Sequence, residues 1–121
     1  MTATLLTVAL VGVGGAFGAA ARHAVGIRIE GRRSIPAVNT IGSLALGGLL
    51  SAPIASEAAL FAAVGFCGAF TTFSSFAVET VSTADSGNAR LAICFAAANL
   101  LLALVAFFVG AILVGSIGSL V

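Results

Sequence analysis

Charged side chains are scarce in this sequence, and lysine, tryptophan and tyrosine are absent. Only 7% of the 121 residues are charged, whereas 60% are hydrophobic, and the mean hydropathy is +1.23. A single soluble core of this size cannot bury so much apolar surface. The shortage of charge therefore excludes a soluble domain and predicts a multi-pass integral protein of the cell (plasma) membrane.

The small net charge argues against two further classes. A value of +1 gives no basic patch for nucleic acid. No nucleophile and base stand at the spacing that an enzyme needs, so the sequence predicts a protein that is not an enzyme. Because tryptophan and tyrosine are missing, arginine must help to anchor the helix ends at the membrane interfaces.

Four apolar runs are long enough to cross a bilayer, at about 4–21, 37–54, 58–81 and 91–114. Since about 20 residues of helix span the hydrocarbon, the sequence predicts an all-α protein with four transmembrane helices in a single domain, residues 1–121. We expect the first run to close at Arg22 and His23. Within it, Gly14 and Gly18 form a GxxxG pair, which predicts a tightly packed helix contact.

The centre of the third run differs from an ordinary membrane helix. It reads GFCGAFTTFSSF at residues 65–76, with two glycines ahead of four hydroxyl residues interleaved with phenylalanines. Glycine weakens a helix and hydroxyls compete for its backbone bonds, which predicts a third helix broken near the middle of the membrane. Freed backbone groups there must face protein, water or a bound ion. An ion site and simple close packing of small residues both remain open interpretations.

The acidic residues all lie at the ends of the apolar runs or between them. They are Glu30, Glu57, Glu79 and Asp85. A small proton-coupled multidrug exporter is an alternative of similar size, but its chemistry needs a carboxylate inside the membrane. The positions of the acids therefore disfavour that alternative.

The arginines fall on one side of a four-span arrangement, and no lysine or arginine falls on the other side. They are Arg22, Arg28, Arg32, Arg33 and Arg90. The positive-inside rule places that side in the cytoplasm and both termini outside. A protein that inserted equally in both orientations would show balanced charge, so the sequence predicts a fixed orientation.

Three polar side chains of different runs point toward this arginine-rich side, namely Arg22, Asn39 and Glu79. One cation, one amide and one carboxylate together predict a vestibule. In the alternative interpretation, Arg22 and Glu79 are ordinary interfacial anchors. Asn39 also has two interpretations, because an amide in a span either joins helices or lines an ion path.

Taken together, the motifs resemble those of the small fluoride-channel family called Fluc or CrcB. The first run reads GGAFGAAARH at residues 14–23 and the second reads VNTIGS at 38–43. The third supplies the glycine, hydroxyl and phenylalanine segment, followed by Glu79. That segment is long and chemically unusual, and the resemblance covers three of the four runs and their spacing.

The resemblance implies a passive, fluoride-selective channel that exports fluoride and assembles as an antiparallel, dual-topology dimer with two pathways. The third helices would cross at the membrane centre, where the carbonyls of Gly68 and Thr71 from both subunits would hold a structural sodium ion (Na⁺). Phe73 and Phe76 would line the pathways with their ring edges. The other pathway residues implied by position are Asn39, Thr72 and Ser75.

The fourth run departs from the family pattern. Members carry a line of hydroxyl residues there, whereas this chain offers only Asn99, with Ala103 and Phe107 following at helical spacing. Together with the one-sided arginines, this predicts one member of an unequal pair, so a heterodimer with a related subunit is favoured over a homodimer. The alternative is a non-conducting subunit that only supports assembly of such a channel.

Overall fold

The computed structural model describes residues 1–120, and every regular element in that range is helical. The elements are α1 (Thr2–Arg28), a 3₁₀ turn (Gly31–Arg33), α2 (Ser34–Ser51), α3 (Ser56–Ala59), a π-helix (Leu60–Cys67), α4 (Gly68–Phe70), α5 (Phe73–Asp85) and α6 (Ala89–Gly118). Four helical stretches, 2–28, 31–51, 56–85 and 89–118, are long and apolar enough to cross a membrane. The four predicted spans are therefore confirmed.

The predicted ends of the first two spans are wrong. Helix α1 continues past Arg22 to Arg28, because the Arg22 guanidinium donates to a backbone carbonyl inside the protein and does not have to reach the interface. Helix α2 ends at Ser51 rather than at residue 54. Ala52 is extended, with φ −88° and ψ 143°, which is the conformation that a following proline, here Pro53, favours.

Helix α1 packs backbone against backbone on the π-helix. Gly14 and Gly18 are buried, and a Cβ atom at either position would collide with the carbonyl of Phe61 or of Phe66. Close approach of this kind is what small residues allow between membrane helices. The tight contact predicted from the GxxxG pair is therefore confirmed.

Helices α2 and α6 form a second contact through glycine. Gly47 of α2 is buried against the carbonyl of Phe107, and Gly110 of α6 is buried against the carbonyl of Leu44. This reciprocal arrangement fixes the two helices at one end of their contact. We refer to it below as the glycine seam.

The third span is broken, as the sequence predicts. Thr71 and Thr72 are extended, with ψ 163° at Thr71 and φ −146° and ψ 115° at Thr72, and α5 begins at Phe73. Thr72 caps α5, since its Oγ1 accepts the N–H of Ser75 at 3.1 Å. Threonine suits this position because its oxygen satisfies a donor that the first helical turn leaves free. The break lies near the middle of the helical stretch 56–85.

Candidate ion pathway at the broken helix

The side-chain amide of Asn39 replaces backbone bonds that the break removes. Its Oδ1 accepts the N–H of Thr72 at 2.8 Å, and its Nδ2 donates to the carbonyl of the same residue at 3.1 Å. Asn39 and Thr72 are both buried, at 8% and 6% exposure. In an apolar surrounding, an unpaired backbone group costs several kcal/mol in rough terms. Asn39 therefore holds the extended backbone of Thr72 in place.

A second amide completes this arrangement from α6. The Nδ2 of Asn39 also donates to Oδ1 of Asn99 at 3.1 Å, and Asn99 is 8% exposed. The sequence singles out Asn99 only as the remaining polar residue of its run. The structure places it against a predicted site residue, and we refer to this region, where α2 and α6 meet through Asn39 and Asn99, as the amide contact.

The carbonyls of Gly68 and Thr71 are among those that the break leaves without helical partners. In an unbroken helix, the Gly68 carbonyl would accept the N–H of Thr72 and the Thr71 carbonyl would accept that of Ser75. Those N–H groups donate to side-chain oxygens instead. The Thr71 carbonyl accepts a hydrogen bond from Arg22 Nη1 at 3.2 Å, while Gly68 is exposed.

These two oxygens have the chemistry of a site for a hard cation. Carbonyl oxygens suit Na⁺-like ions, and a carbonyl has two acceptor positions, so the bond from Arg22 leaves one free on Thr71. Two oxygens from one chain do not make a full shell, so a bound cation would need further oxygens besides these two. Within residues 1–120, no three histidine, cysteine, aspartate or glutamate side chains come together to hold a metal.

The phenylalanines of the motif form a line of rings that reaches α6. The Phe73 and Phe76 rings lie 5.6 Å apart and tilted at 51°, and Phe76 stacks at 6.0 Å on Phe95. Phe73 is 79% exposed on the single chain, whereas Phe76 is half-buried. Phe95 has no motif that would single it out in the sequence.

A cavity of about 1040 Å³ lies between α2, the broken span and α6. It brings together the predicted residues Asn39, Gly68, Thr71, Thr72, Phe73 and Phe76 with Asn99. None of its lining residues carries a charge. A cavity with uncharged polar groups in an apolar wall suits an ion that is held moderately and then released.

The hydroxyl groups near the break are unequally engaged. Those of Thr71 and Thr80 donate to the carbonyls of Cys67 and Phe76, at 2.9 and 2.8 Å. Thr72 Oγ1 accepts the N–H of Ser75 as the cap of α5 and lies 3.5 Å from Ser74 Oγ, so capping leaves its own hydrogen free to donate. Ser75 is exposed on the single chain and lies outside the cavity lining.

Arg22 and Glu79, predicted to share a vestibule, have different partners in the structure. Arg22 bonds to the Thr71 carbonyl, whereas Glu79 forms an ion pair with Arg32, with Nε and Oε1 3.4 Å apart. Thr83 also donates to Glu79 Oε1 at 3.4 Å. The Arg32 side chain is 43% exposed and that of Glu79 30%, so this pair lies at the surface of the chain.

These features describe a small multi-pass membrane protein with a polar break inside an apolar span. The chain belongs to the CrcB-like family, because residues 9–111 match the family model described as CrcB-like protein, Camphor Resistance (CrcB). The resemblance proposed from the motifs is therefore confirmed.

Relatives with fluoride-channel names cover most of the chain. A protein of Natronomonas pharaonis called "Fluoride-specific ion channel FluC 2" is 50% identical over 108 residues, which are 88% of this chain and 92% of that protein. Haloarcula marismortui has a FluC 2 that is 49% identical over 100 residues, 79% of this chain and 83% of its own. Its FluC 1 is 45% identical over 87 residues, 68% of each chain.

Proposed function

We propose that this chain is a subunit of a passive fluoride channel that lets fluoride leave the cell. Membership of the CrcB-like family, together with the names of the relatives, supports this function. The observation that carries it is the broken third span beside an uncharged, partly polar cavity. An enzymatic function has no support in the family.

The chemistry of the cavity suits a small, strongly hydrated anion. Fluoride enters only if protein groups replace part of its hydration. Amides and hydroxyls offer neutral donors, and the positive ring edges of Phe73 and Phe76 can face an anion. Neutral groups hold the ion less tightly than charged ones would, so it can also leave. Thr72 and Ser75 belong to the same proposal as further hydroxyl groups of the pathway.

A proton-coupled exporter is disfavoured by the structure as well as by the sequence. Glu79 is paired with Arg32, and Asp85 is the last residue of α5. Glu30 lies between α1 and the 3₁₀ turn, and Glu57 lies in α3 at the start of the third span. None of the cavity-lining residues is acidic, so the cavity offers no carboxylate to exchange a proton for a cation.

We propose further that two chains pair antiparallel with their breaks facing each other. The Gly68 and Thr71 carbonyls of each chain would then hold a structural Na⁺, which supplies fixed positive charge near the pathways when bound. The exposure of Gly68 and the free acceptor position on Thr71 support this arrangement. The Arg22 guanidinium adds a second positive charge beside the same carbonyl.

The assembly is tested by enlarging Gly68. A Cβ atom at Gly68 meets nothing within 4 Å in the single chain, so we expect Gly68→Leu to be tolerated by the fold of one subunit. If Gly68 faces a second chain, the variant loses the dimer. Gly115→Leu is the matched control, since that glycine also has open space around it and lies at the far end of α6. Equal dimer yields for the two variants in crosslinking and size-exclusion experiments would show that Gly68 does not lie in the dimer interface.

The proposed partner is a related chain of opposite orientation rather than a second copy. Arg28, Arg32, Arg33 and Arg90 all lie at the same ends of the spans, which favours one orientation during insertion. Haloarcula marismortui has two proteins named FluC 1 and FluC 2, and both are similar to this chain. Two related chains in one organism would supply the two halves of an unequal dimer.

Flux from liposomes tests the function, and topology reporters test the partner. We expect liposomes that contain the chain and its related subunit to release fluoride. We expect their chloride efflux to be much smaller. We expect a C-terminal reporter to respond only outside the cytoplasm. Efflux from this chain alone, with reporters active on both sides, would make it a dual-topology homodimer. No fluoride efflux with any partner would overturn the channel assignment, whereas efflux unaffected by changes in this chain's cavity would identify a non-conducting assembly subunit.

A further inference from the structure

The arginines of this chain differ in what their guanidinium groups contact. Arg22 donates to the Thr71 carbonyl, and Arg32 forms an ion pair with Glu79. The other arginines are exposed, and within residues 1–120 they form no ion pair. These are Arg28, Arg33 and Arg90. Their positive charges therefore have no partner in the part of the chain that the structure describes.

Two of these arginines lie where the chain leaves the membrane and enters it again. Helix α1 ends at Arg28, and α2 begins directly after Arg33. Helix α1 has 27 residues, so it is about 40 Å long, whereas the hydrocarbon core is about 30 Å thick. No charged side chain precedes Arg22, so the excess length lies at the end that carries Arg28. Arg28 therefore reaches the headgroup layer, and the short connection 29–33 keeps Arg33 close to it.

The chemistry of these side chains fits a phosphate group. A guanidinium keeps its charge at any physiological pH, and its planar donors match two phosphate oxygens at once. The chain has arginine at every basic position apart from its one histidine, and it has no lysine. Arginines next to a membrane helix are attracted to the headgroups of anionic lipids. The level of Arg28 and Arg33 is also the level of the lipid phosphates.

The acidic residues nearby decide which connection has an excess of positive charge. Arg28 and Arg33 are accompanied by one unpaired acid, Glu30, which is exposed. At the connection between α5 and α6, one acid, Asp85, balances the single cation of Arg90. The excess therefore belongs to the connection between α1 and α2.

We propose that Arg28 and Arg33 form a binding site for the phosphate of an anionic phospholipid. A lipid held there ties the connection between α1 and α2 to the headgroup layer. Tryptophan and tyrosine have this anchoring role in many membrane proteins, and this chain has neither. In the orientation proposed above, the lipid belongs to the cytoplasmic leaflet. The site requires the membrane spans but not fluoride conduction.

Binding of phosphatidylglycerol to the purified protein tests this site. Native mass spectrometry gives the affinity, and the thermal midpoint in detergent micelles with added lipid gives the stabilisation. We expect phosphatidylglycerol to bind more tightly than phosphatidylcholine and to raise the midpoint more. Because each arginine contributes about fivefold, replacing both by Arg28→Gln and Arg33→Gln should weaken the binding of phosphatidylglycerol roughly 25-fold. Arg90→Gln is the matched control, since it removes the same charge from another exposed arginine, and we expect it to leave binding nearly unchanged.

A variant that keeps both arginines tests the site even if the double variant does not fold. Glu30→Gln removes the acid between them, so we expect tighter binding of phosphatidylglycerol. Unchanged binding in the double variant would overturn the proposal, and so would equal weakening by Arg90→Gln or no gain from Glu30→Gln. Inorganic phosphate that raises the midpoint as much as the lipid does would identify a site for a free anion and not for a lipid. None of these measurements involves fluoride, so they fail or succeed independently of the proposed channel function.

Discussion

Helices α2 and α6 meet in two places that are built differently. At the glycine seam, Gly47 and Gly110 bring the two backbones together with carbonyls directly against Cα atoms. At the amide contact, Asn39 and Asn99 bridge the same helices by a side-chain hydrogen bond, and the cavity lies beside them. One pair of helices is therefore in direct backbone contact at one end and bridged by side chains at the other.

The difference shows how two membrane helices can be joined without filling the cavity beside them. Small residues give close van der Waals packing in a membrane, where no hydrophobic force drives helices together. A hydrogen bond between two amide side chains joins the helices without direct backbone contact. It also leaves other polar atoms of the amides available for hydrogen bonds. The glycine seam therefore provides close backbone packing, whereas the amide contact provides a polar bridge beside the cavity.

The largest expected effect comes from breaking the seam with Gly47→Ala. A Cβ atom there would lie 2.8 Å from the carbonyl carbon of Phe107, so the helices must separate. We expect a loss of roughly 2–3 kcal/mol in the free energy of unfolding, as for overpacked cores, measured by denaturant titration in detergent. Gly115→Ala is the matched control on α6, because its Cβ meets open space, and we expect it to be neutral or slightly stabilising. Equal free energies of unfolding for the two variants would contradict the view that the glycine seam stabilises the contact between α2 and α6.

The next effect is the loss of the amide contact through Asn39→Ala. The substitution leaves the N–H and C=O of Thr72 without partners, and we expect a loss of about 1–2 kcal/mol together with a fall in fluoride flux. Unfolding titrations and efflux are measured on the same preparation. A variant with normal stability and reduced flux would show instead that Asn39 faces the ion directly.

Substitutions in the line of phenylalanine rings beside the amide contact should affect fluoride flux more than the free energy of unfolding. Phe73→Ile and Phe76→Ile keep an apolar side chain, so we expect less than about 1.5 kcal/mol of destabilisation. Because isoleucine lacks the positive ring edge, efflux should fall strongly in both variants while the dimer remains assembled. Phe95→Ile is the comparison on α6, since Phe95 stacks on Phe76. Normal efflux in both Phe73 and Phe76 variants excludes the rings from the pathway.

The smallest effect is expected outside both contacts, at the ion pair of Arg32 and Glu79. Both side chains are partly exposed, so Arg32→Gln should change stability by less than about 1 kcal/mol. If the freed carboxylate faces approaching fluoride, efflux should fall at low ionic strength and recover in salt, since screening shortens the reach of its charge. Glu79→Gln added to Arg32→Gln should restore the flux. A salt-independent effect would argue against an electrostatic role.

The residues of the broken span illustrate how far the sequence can be interpreted. The two glycines and the run of hydroxyls predict the break, because each weakens the helix locally. Thr72 caps α5, in keeping with the preference of threonine for that position. The end of α1 was not predictable in this way. In the sequence, Arg22 fits either a vestibule or an interfacial anchor, and its actual partner, the Thr71 carbonyl, is 49 residues away in the chain.

The sequence by itself determined the class of this protein: apolar runs of the right length, a breakable third span and the family motifs all depend on local composition. The tertiary structure decided the site. The Asn39 amide meets Thr72 and Asn99 across 33 and 60 residues of chain, and Glu79 pairs with Arg32 rather than with Arg22. Hydrogen bonds and ion pairs form between atoms about 3 Å apart, and only the packing of the helices through their glycines sets which distant residues come that close.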